Sequence, residues 1–459
     1  MSFFSKKSAK SQEDENQDAL VALDIGSSKI RLIAGEVGEG GVLTLTYYAE
    51  QPSLGMDNGA ITDLTKLSEQ ISLLIADYKE NGRDMTHCYL GIAGRYIKSA
   101  NLQGGTVIPS HIVTEDDRAH AIENAAANRF SEYQRFIHII PQNYQIGDTK
   151  EITNPIGMTG QRLDVNIHMI ACDEDQEQNL RSAIARISSE INVDHVIFNG
   201  IAAADAVLSE EDKEIGVCLV DWGGGSINVS LYDKSCLIHT FGLDYGGMRI
   251  TRDIATRFGL PLVTAEYLKR NYGIAHPDLL TAKVRNTVLK VPVDPLYPNA
   301  DSLYVSYEEL ARTIAVSMID TFQQLHRRIN NFIQSQSVHP SLGAGYVFTG
   351  GVANTKGLAQ LAATKLVNEN GIKPKVKTGV PRSVSCNFNQ ILPENMSPDE
   401  LSTNIICPTG ATAIGLLRFG NALKEEEHRR YNVQNERRHS NSTLAKIYYW
   451  SKNWLSGEL

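Results

Sequence analysis

The chain is short of the features that would place it outside the cell or across a membrane. Its 459 residues include six cysteines and no C-x-x-C pair. Cys88, Cys172, Cys218, Cys236, Cys386 and Cys407 are scattered, four of them in apolar runs where a buried thiol is the ordinary outcome. That spacing argues against a disulfide framework or a zinc site and for a reduced, intracellular setting. No apolar stretch is long enough to span a bilayer, so any membrane contact is expected to be peripheral. Residues 1–19 carry lysines but no apolar segment of signal-peptide length, and read as a solvated, disordered arm. Positive charge is not in excess either. The net charge of -9 argues against nucleic acid as a partner.

What is present is a soluble, globular composition, with 42% hydrophobic and 21% charged residues. The length suggests about two to four domains. Order begins at Leu20, where LVALDIG, KIRLIAGEV and VLTLTYYAE read as three strands punctuated by Gly turns. Asp63 is placed to cap a helix over 64–79 with Leu67, Ile71, Leu74, Ile75 and Tyr78 on its apolar face. Strands, a helix and another strand (MTHCYLGIAG) predict a mixed sheet flanked by helices. Residues 95–173 interrupt that pattern and read as an insertion with its own strands and a helix opened by Thr114 and Glu115. IGVCLVDWGGGSINVSLYD then repeats the strand, Asp, Gly turn, strand pattern of LDIGSSKIRLIAGEV. Two similar α/β lobes place a ligand in the cleft between them. Further helices are expected near 246–258, 262–272 and 307–336, a surface loop at 291–302, and a Pro-, Ser- and Asn-rich loop at 378–404.

The repeated hairpin carries the chemistry. Phosphate needs backbone N–H donors at close range, which Gly turns supply without a clashing Cβ, and a cation, usually Mg²⁺, held by carboxylates. Asp24, Gly26, Ser27, Ser28 and Lys29 suit one side of a triphosphate, and Asp221, Gly223, Gly224, Gly225 and Ser226 the other. One such hairpin is as readily an ordinary tight turn, but two in matching positions are not. Gly350 and Gly351 end a third strand and open a helix, which suits close approach of backbone to a nucleoside.

With VFTGGVANTKGL and the helices FNGIAAADAVL and TGATAIGLLRFG, this set resembles the actin, sugar-kinase and heat-shock-chaperone ATPase superfamily. Within it the chain resembles the bacterial FtsA cell-division family over nearly all of residues 20–459, through LGMDNGAITDL, YLGIAGRYIKSAN, IPQNYQIGDTKEITNPIGMTGQRLDVNIHMIAC and VDHVIFNGIAAADAVL. The resemblance implies a duplicated, ribonuclease-H-like fold binding ATP and Mg²⁺, with Asp24 and Asp221 near the metal. It adds Glu266, Lys269 and Val352 to the nucleoside site, although Glu266 and Lys269 alone would read as a surface i,i+3 pair. It also implies subdomain 1A at 20–94 and 174–213, the inserted 1C at 95–173, 2A at 214–250 and 344–407, 2B at 251–343, and a closing 1A helix at 408–420. The usual second phosphate motif, D-I-G-G-G-T-x-D, reads DWGGGSIN here, and Asn228 replaces a carboxylate near the phosphates. ATP is therefore expected to bind with slow or negligible turnover, as a switch.

Residues 421–441 are charged and aperiodic and read as a flexible linker to an amphipathic helix at 442–457. Leu444, Ile447, Tyr448, Trp450, Trp454 and Leu455 fall on one face, Lys446 and Lys452 on the other. At roughly 20 Å, the helix suits the headgroup region of an anionic membrane better than a crossing. Docking on its own domain is the alternative, against which the long polar linker counts. The resemblance implies self-association head to tail at the inner membrane of the division site. It further implies capture of the C-terminal tail of the tubulin-like protein FtsZ in 2B, and recruitment of later divisome proteins through 1C. The family's E-P-R triplet is Ala315, Val316 and Ser317 here, so that contact either moves to Arg312, Arg327 or Arg328 or those arginines are a solvated helix face. A PilM-like pilus-assembly scaffold and, further off, a small-molecule kinase are the alternatives. A kinase needs an Asp base facing the γ-phosphate, and neither alternative explains a terminal amphipathic helix.

Overall fold

In a computed structural model of the chain, residues 19–38, 40–127, 133–293, 302–336, 338–367, 371–386 and 404–434 are described, with side chains in the last segment to residue 425. The expected arm at 1–19, but for its last residue, and the amphipathic helix at 442–457 lie outside the described residues.

Two mixed sheets share one strand order. In the first lobe Leu20–Ile25, Lys29–Val37 and Leu43–Pro52 form an antiparallel meander, and His87–Ile92 then Asn192–Phe198 add in parallel on the other side of Leu20–Ile25. In the second lobe Val217–Trp222, Ile227–Asp233 and Cys236–Leu243 form the meander, and Gly345–Thr349 then Val376–Thr378 add in parallel beside Val217–Trp222. Every residue of Leu20–Ile25 and of Val217–Trp222 is buried. A strand flanked on both sides and covered on both faces needs such a continuous apolar run. Its polar exceptions, Asp24 and Asp221, therefore need a reason.

Local chemistry fixes the helices that frame these sheets. Asp63 accepts from the N–H groups of Thr65 and Lys66, both at 3.1 Å, and so caps Leu64–Glu80, a contact worth about 1 kcal/mol. Helix Asn199–Val207 packs on the second sheet and helix Ala411–Gln434 on the first. The two helices touch backbone to backbone, because a Cβ at Gly415 would lie 1.8 Å from the Ala202 carbonyl oxygen. In the second lobe Gly247–Phe258, Leu262–Tyr272 and the long Tyr307–Gln336 cover the other face of the sheet around a core that includes Trp222, Phe322 and Phe348.

The inserted region folds on its own four-stranded antiparallel sheet, ordered Ile97–Val107, Arg162–Asp173, Gln134–Ile146 and Thr149–Ile152. Helix Glu115–Ala126 opens with a capping box between Thr114 and Asp117. It lies directly on the first strand, where a Cβ at Gly104 would be 2.2 Å from the Ala125 nitrogen. A separate apolar cluster around Ile122, Leu163 and Ile167 forms its core.

Two expectations change. Val384–Cys386, inside the expected loop, is a strand that pairs in parallel with Leu43–Leu45 and protects that edge of the first sheet. The closing helix does not end near 420 but runs to Gln434, into the expected linker. KEEEHRR consists largely of strong helix formers, and Asn421 bonds Glu425 one turn on at 2.8 Å, so helix propagates without an apolar stripe.

Candidate functional site

Both repeated turns lie at the C-terminal ends of the central strands, facing each other. Gly26 N–H donates to the Lys29 carbonyl at 3.1 Å, and Gly223 N–H to the Ser226 carbonyl at 3.0 Å, so the two loops close in the same way. They also touch: a Cβ at Gly225 would lie 2.3 Å from Ser27 Oγ, and one at Gly224 2.9 Å from Ser28 Cβ. Glycine is required there by close approach. Between them runs a cavity of about 610 Å³ whose lining includes every residue that the sequence assigned to the nucleotide.

The buried carboxylates hold different partners. Asp24 accepts from Arg31 at 3.1 Å. Arg31 lies 3.4 Å from Glu50, which also accepts from Tyr48 at 2.6 Å and pairs with Lys29. Burial raises the pKa of Asp24, against the pull of Arg31. Among the described residues no basic side chain bonds Asp221, and the charge of Arg31 reaches it only through space. It accepts from Asn228 Nδ2 at 3.1 Å and from the Thr412 hydroxyl at 3.4 Å. Burial, with the charge of Asp24 adding to it, pushes its pKa up to about 6.

The nucleoside end is built by the second lobe. Lys269 donates to the Gly247 carbonyl at 3.0 Å and to Thr251 at 2.8 Å, and pairs with Glu266 at 2.7 Å. Burial pushes Glu266 upward, but Lys269, Thr251 and Arg270 hold its carboxyl below the ordinary value. Glu266 and Lys269 are thus members of a part-buried network at the foot of a helix, not a surface pair. Gly350 sits at φ +83°, where a Cβ would lie 2.5 Å from the Trp222 carbonyl. Gly351 differs, since a Cβ there would meet nothing within 4 Å: its face opens on the cavity. Val352 is buried beside Gly247. Trp222 turns away from the site into the core, edge-on to Phe322 at 5.8 Å.

Sequence reasoning missed the Arg31–Glu50 pair and the turn Met56–Ile61, whose Gly59 N–H donates to Ser27 Oγ at 2.9 Å. Counting across the first Gly turn was the available signal, because Arg31 stands opposite Asp24 in the hairpin register. The terminal residues assigned to a membrane, Leu444 to Leu455, lie outside the described residues.

A magnesium nucleotide fits these residues. The Gly turns bring backbone to the rim of the cavity, and Asp221 is a buried carboxylate that, among the described residues, bonds no basic side chain. Asp24 and Asp221 would hold the cation, the two turns the phosphates, and Lys269, Glu266, Gly350, Gly351 and Val352 the nucleoside.

Two lobes built on one repeated sheet, with facing hairpins between them and a domain inserted in the first, define an actin-like α/β protein. A sequence profile described as "SHS2 domain inserted in FTSA" matches residues 94–171, and one described as "Cell division protein FtsA" matches residues 218–415. The chain is 30% identical over 447 residues to cell division protein FtsA of Neisseria meningitidis serogroup B, covering 96% of this chain and 99% of that one. It is 29% identical over 444 residues to FtsA of Escherichia coli K12, covering 96% and 98%. Among solved structures, a chain of the PilM-PilN type IV pilus biogenesis complex matches with a TM-score of 0.58 at 18% identity, over 87% of this chain and 97% of that one. This chain belongs to the FtsA family of cell-division proteins.

Proposed function

We propose that the cleft binds ATP with Mg²⁺ and that nucleotide state, rather than rapid hydrolysis, is its output. The observation that carries this reading is the pair of equivalent Gly hairpins closing on a cavity of nucleotide size. Slow or negligible turnover is supported by Asn228, a buried amide in place of the carboxylate that the family motif carries near the phosphates, because an amide cannot take a proton from water.

In this reading the protein works at the cytoplasmic face of the inner membrane at the division site. The terminal helix at 442–457 anchors it to anionic lipid, ATP-bound copies associate head to tail, and the 2B region at 251–343 takes the FtsZ C-terminal tail. The 1C region at 95–173 receives later divisome proteins. Family membership supports the division role, and the Trp and Leu stripe supports the anchor. Liposome co-sedimentation of the full chain and of a chain ending at Asn441, each with and without ATP, tests it. The full chain is expected to pellet with anionic vesicles and the shortened one to stay in solution. Equal pelleting of the two overturns the anchor.

A further inference from the structure

Asn228 stands where the resemblance calls for a carboxylate, and its surroundings explain why an amide suits the place. It is buried, at 2% exposure. Its Nδ2 donates to Asp221 Oδ2 at 3.1 Å, while its Oδ1 accepts from the Gly94 N–H, also at 3.1 Å. A carboxylate could accept from Gly94 but could not donate to Asp221. Only a group that donates on one side and accepts on the other completes both bonds.

Gly94 is the last residue before the chain leaves the first lobe for the inserted domain, and both lobes touch it. It takes φ +96°, and a Cβ at Gly242 on the second sheet would lie 1.9 Å from its carbonyl oxygen. A Cβ at Gly59 would lie 3.4 Å from its Cα, and Gly59 N–H is the donor to Ser27 of the first hairpin. Just beyond, the first inserted strand is moored to the second lobe. Ser99 donates to the Thr240 carbonyl at 2.7 Å and Asn101 Nδ2 to the Ile238 carbonyl at 3.0 Å. Buried His168 spans Asn101 and Thr240 at 2.7 and 3.0 Å.

We infer that Asn228 is a positioning residue that couples the carboxylate of the second hairpin to the hinge of the inserted domain. Whatever draws on Asp221 reorders Asn228, and through it the acceptor of Gly94. The inference rests on the nucleotide reading, and it makes that site a control point for how the insertion is held. The coupling is reciprocal, so a partner that fixes the insertion tightens the nucleotide.

Hydrogen–deuterium exchange of the full chain, with and without ATP and Mg²⁺, tests it. Bound nucleotide is expected to protect 24–29 and 223–226 and to slow exchange at 94–97 by roughly threefold or more. In Asn228→Ala the hinge exchanges faster without ligand and no longer responds to it, while 24–29 is still protected at saturation. Asp221→Asn keeps Asn228 as the acceptor of Gly94 but removes the charge on which a cation draws, so the hinge stays protected but ceases to respond, an outcome that a purely structural role for Asn228 would not give. Protected hairpins with an unchanged hinge in the natural chain overturn the inference alone, as does a ligand response at the hinge of either variant. Unprotected hairpins overturn the nucleotide reading and the inference with it.

Discussion

The two Asp-x-Gly hairpins occupy the same place in the two halves of the fold and use the same register. Asp24 stands opposite Arg31 and Asp221 opposite Asn228, and in both pairs the contact is 3.1 Å. One partner is a guanidinium and the other a neutral amide. The first hairpin therefore closes its own charge, within a cluster that includes Glu50, Lys29 and Tyr48. The second leaves a buried carboxylate that, among the described residues, is bonded by an amide and a hydroxyl and feels Arg31 only through space. Duplication supplies two phosphate cradles. Divergence at one register position gives the first carboxylate a cationic partner and the second a neutral one, which in the proposed function makes Asp221 the more dependent on an incoming cation.

The largest effect that could break this comparison is on folding. Arg31→Ala leaves Asp24 buried without its cation and is expected to cost about 3–5 kcal/mol in urea unfolding. Asn228→Ala removes a neutral bridge and is expected to cost about 1–2 kcal/mol. Equal losses would mean that the hairpins are not electrostatically distinct.

A smaller effect sharpens the account of the second hairpin. The pKa of Asp221 lies at about 6, above the ordinary 3.8 of an unfolded aspartate. The native state thus holds this proton more tightly than the unfolded state. Its contribution to ligand-free stability is present below about pH 4 and is lost as pH rises through about 6. Asp221→Asn removes that loss. Without nucleotide or metal it is expected to be about 2 kcal/mol more stable than the natural chain at pH 7.5, the difference vanishing near pH 4. Thermal melts across that range check it, and a variant less stable at pH 7.5 would contradict the assignment.

What was legible in the sequence was local or repeated. The cap at Asp63, the capping box at Thr114 and the two Gly hairpins depend on residues within a few positions of each other, and the duplicated pattern pointed to two lobes. The Asp24–Arg31 pair lay one counting step across a turn. The bond from Asn228 to Gly94 lay beyond reading, because it spans 134 positions and exists only when both lobes and the insertion are assembled. The helix to Gln434 was missed for the opposite reason. It needs no apolar face to propagate from a buried start at Ala411, so periodicity carried no sign of it.

The central claim is that Asp221, the carboxylate of the second hairpin, carries the larger share of a cation's help in holding nucleotide. Isothermal titration of ATP into the natural chain and into Asp221→Asn, each with Mg²⁺ and with chelator, tests it most directly. Mg²⁺ is expected to tighten binding to the natural chain by about tenfold or more and to leave the variant's affinity within about threefold of its metal-free value. An undiminished Mg²⁺ effect in Asp221→Asn, or no ATP binding to the natural chain at all, would contradict the account.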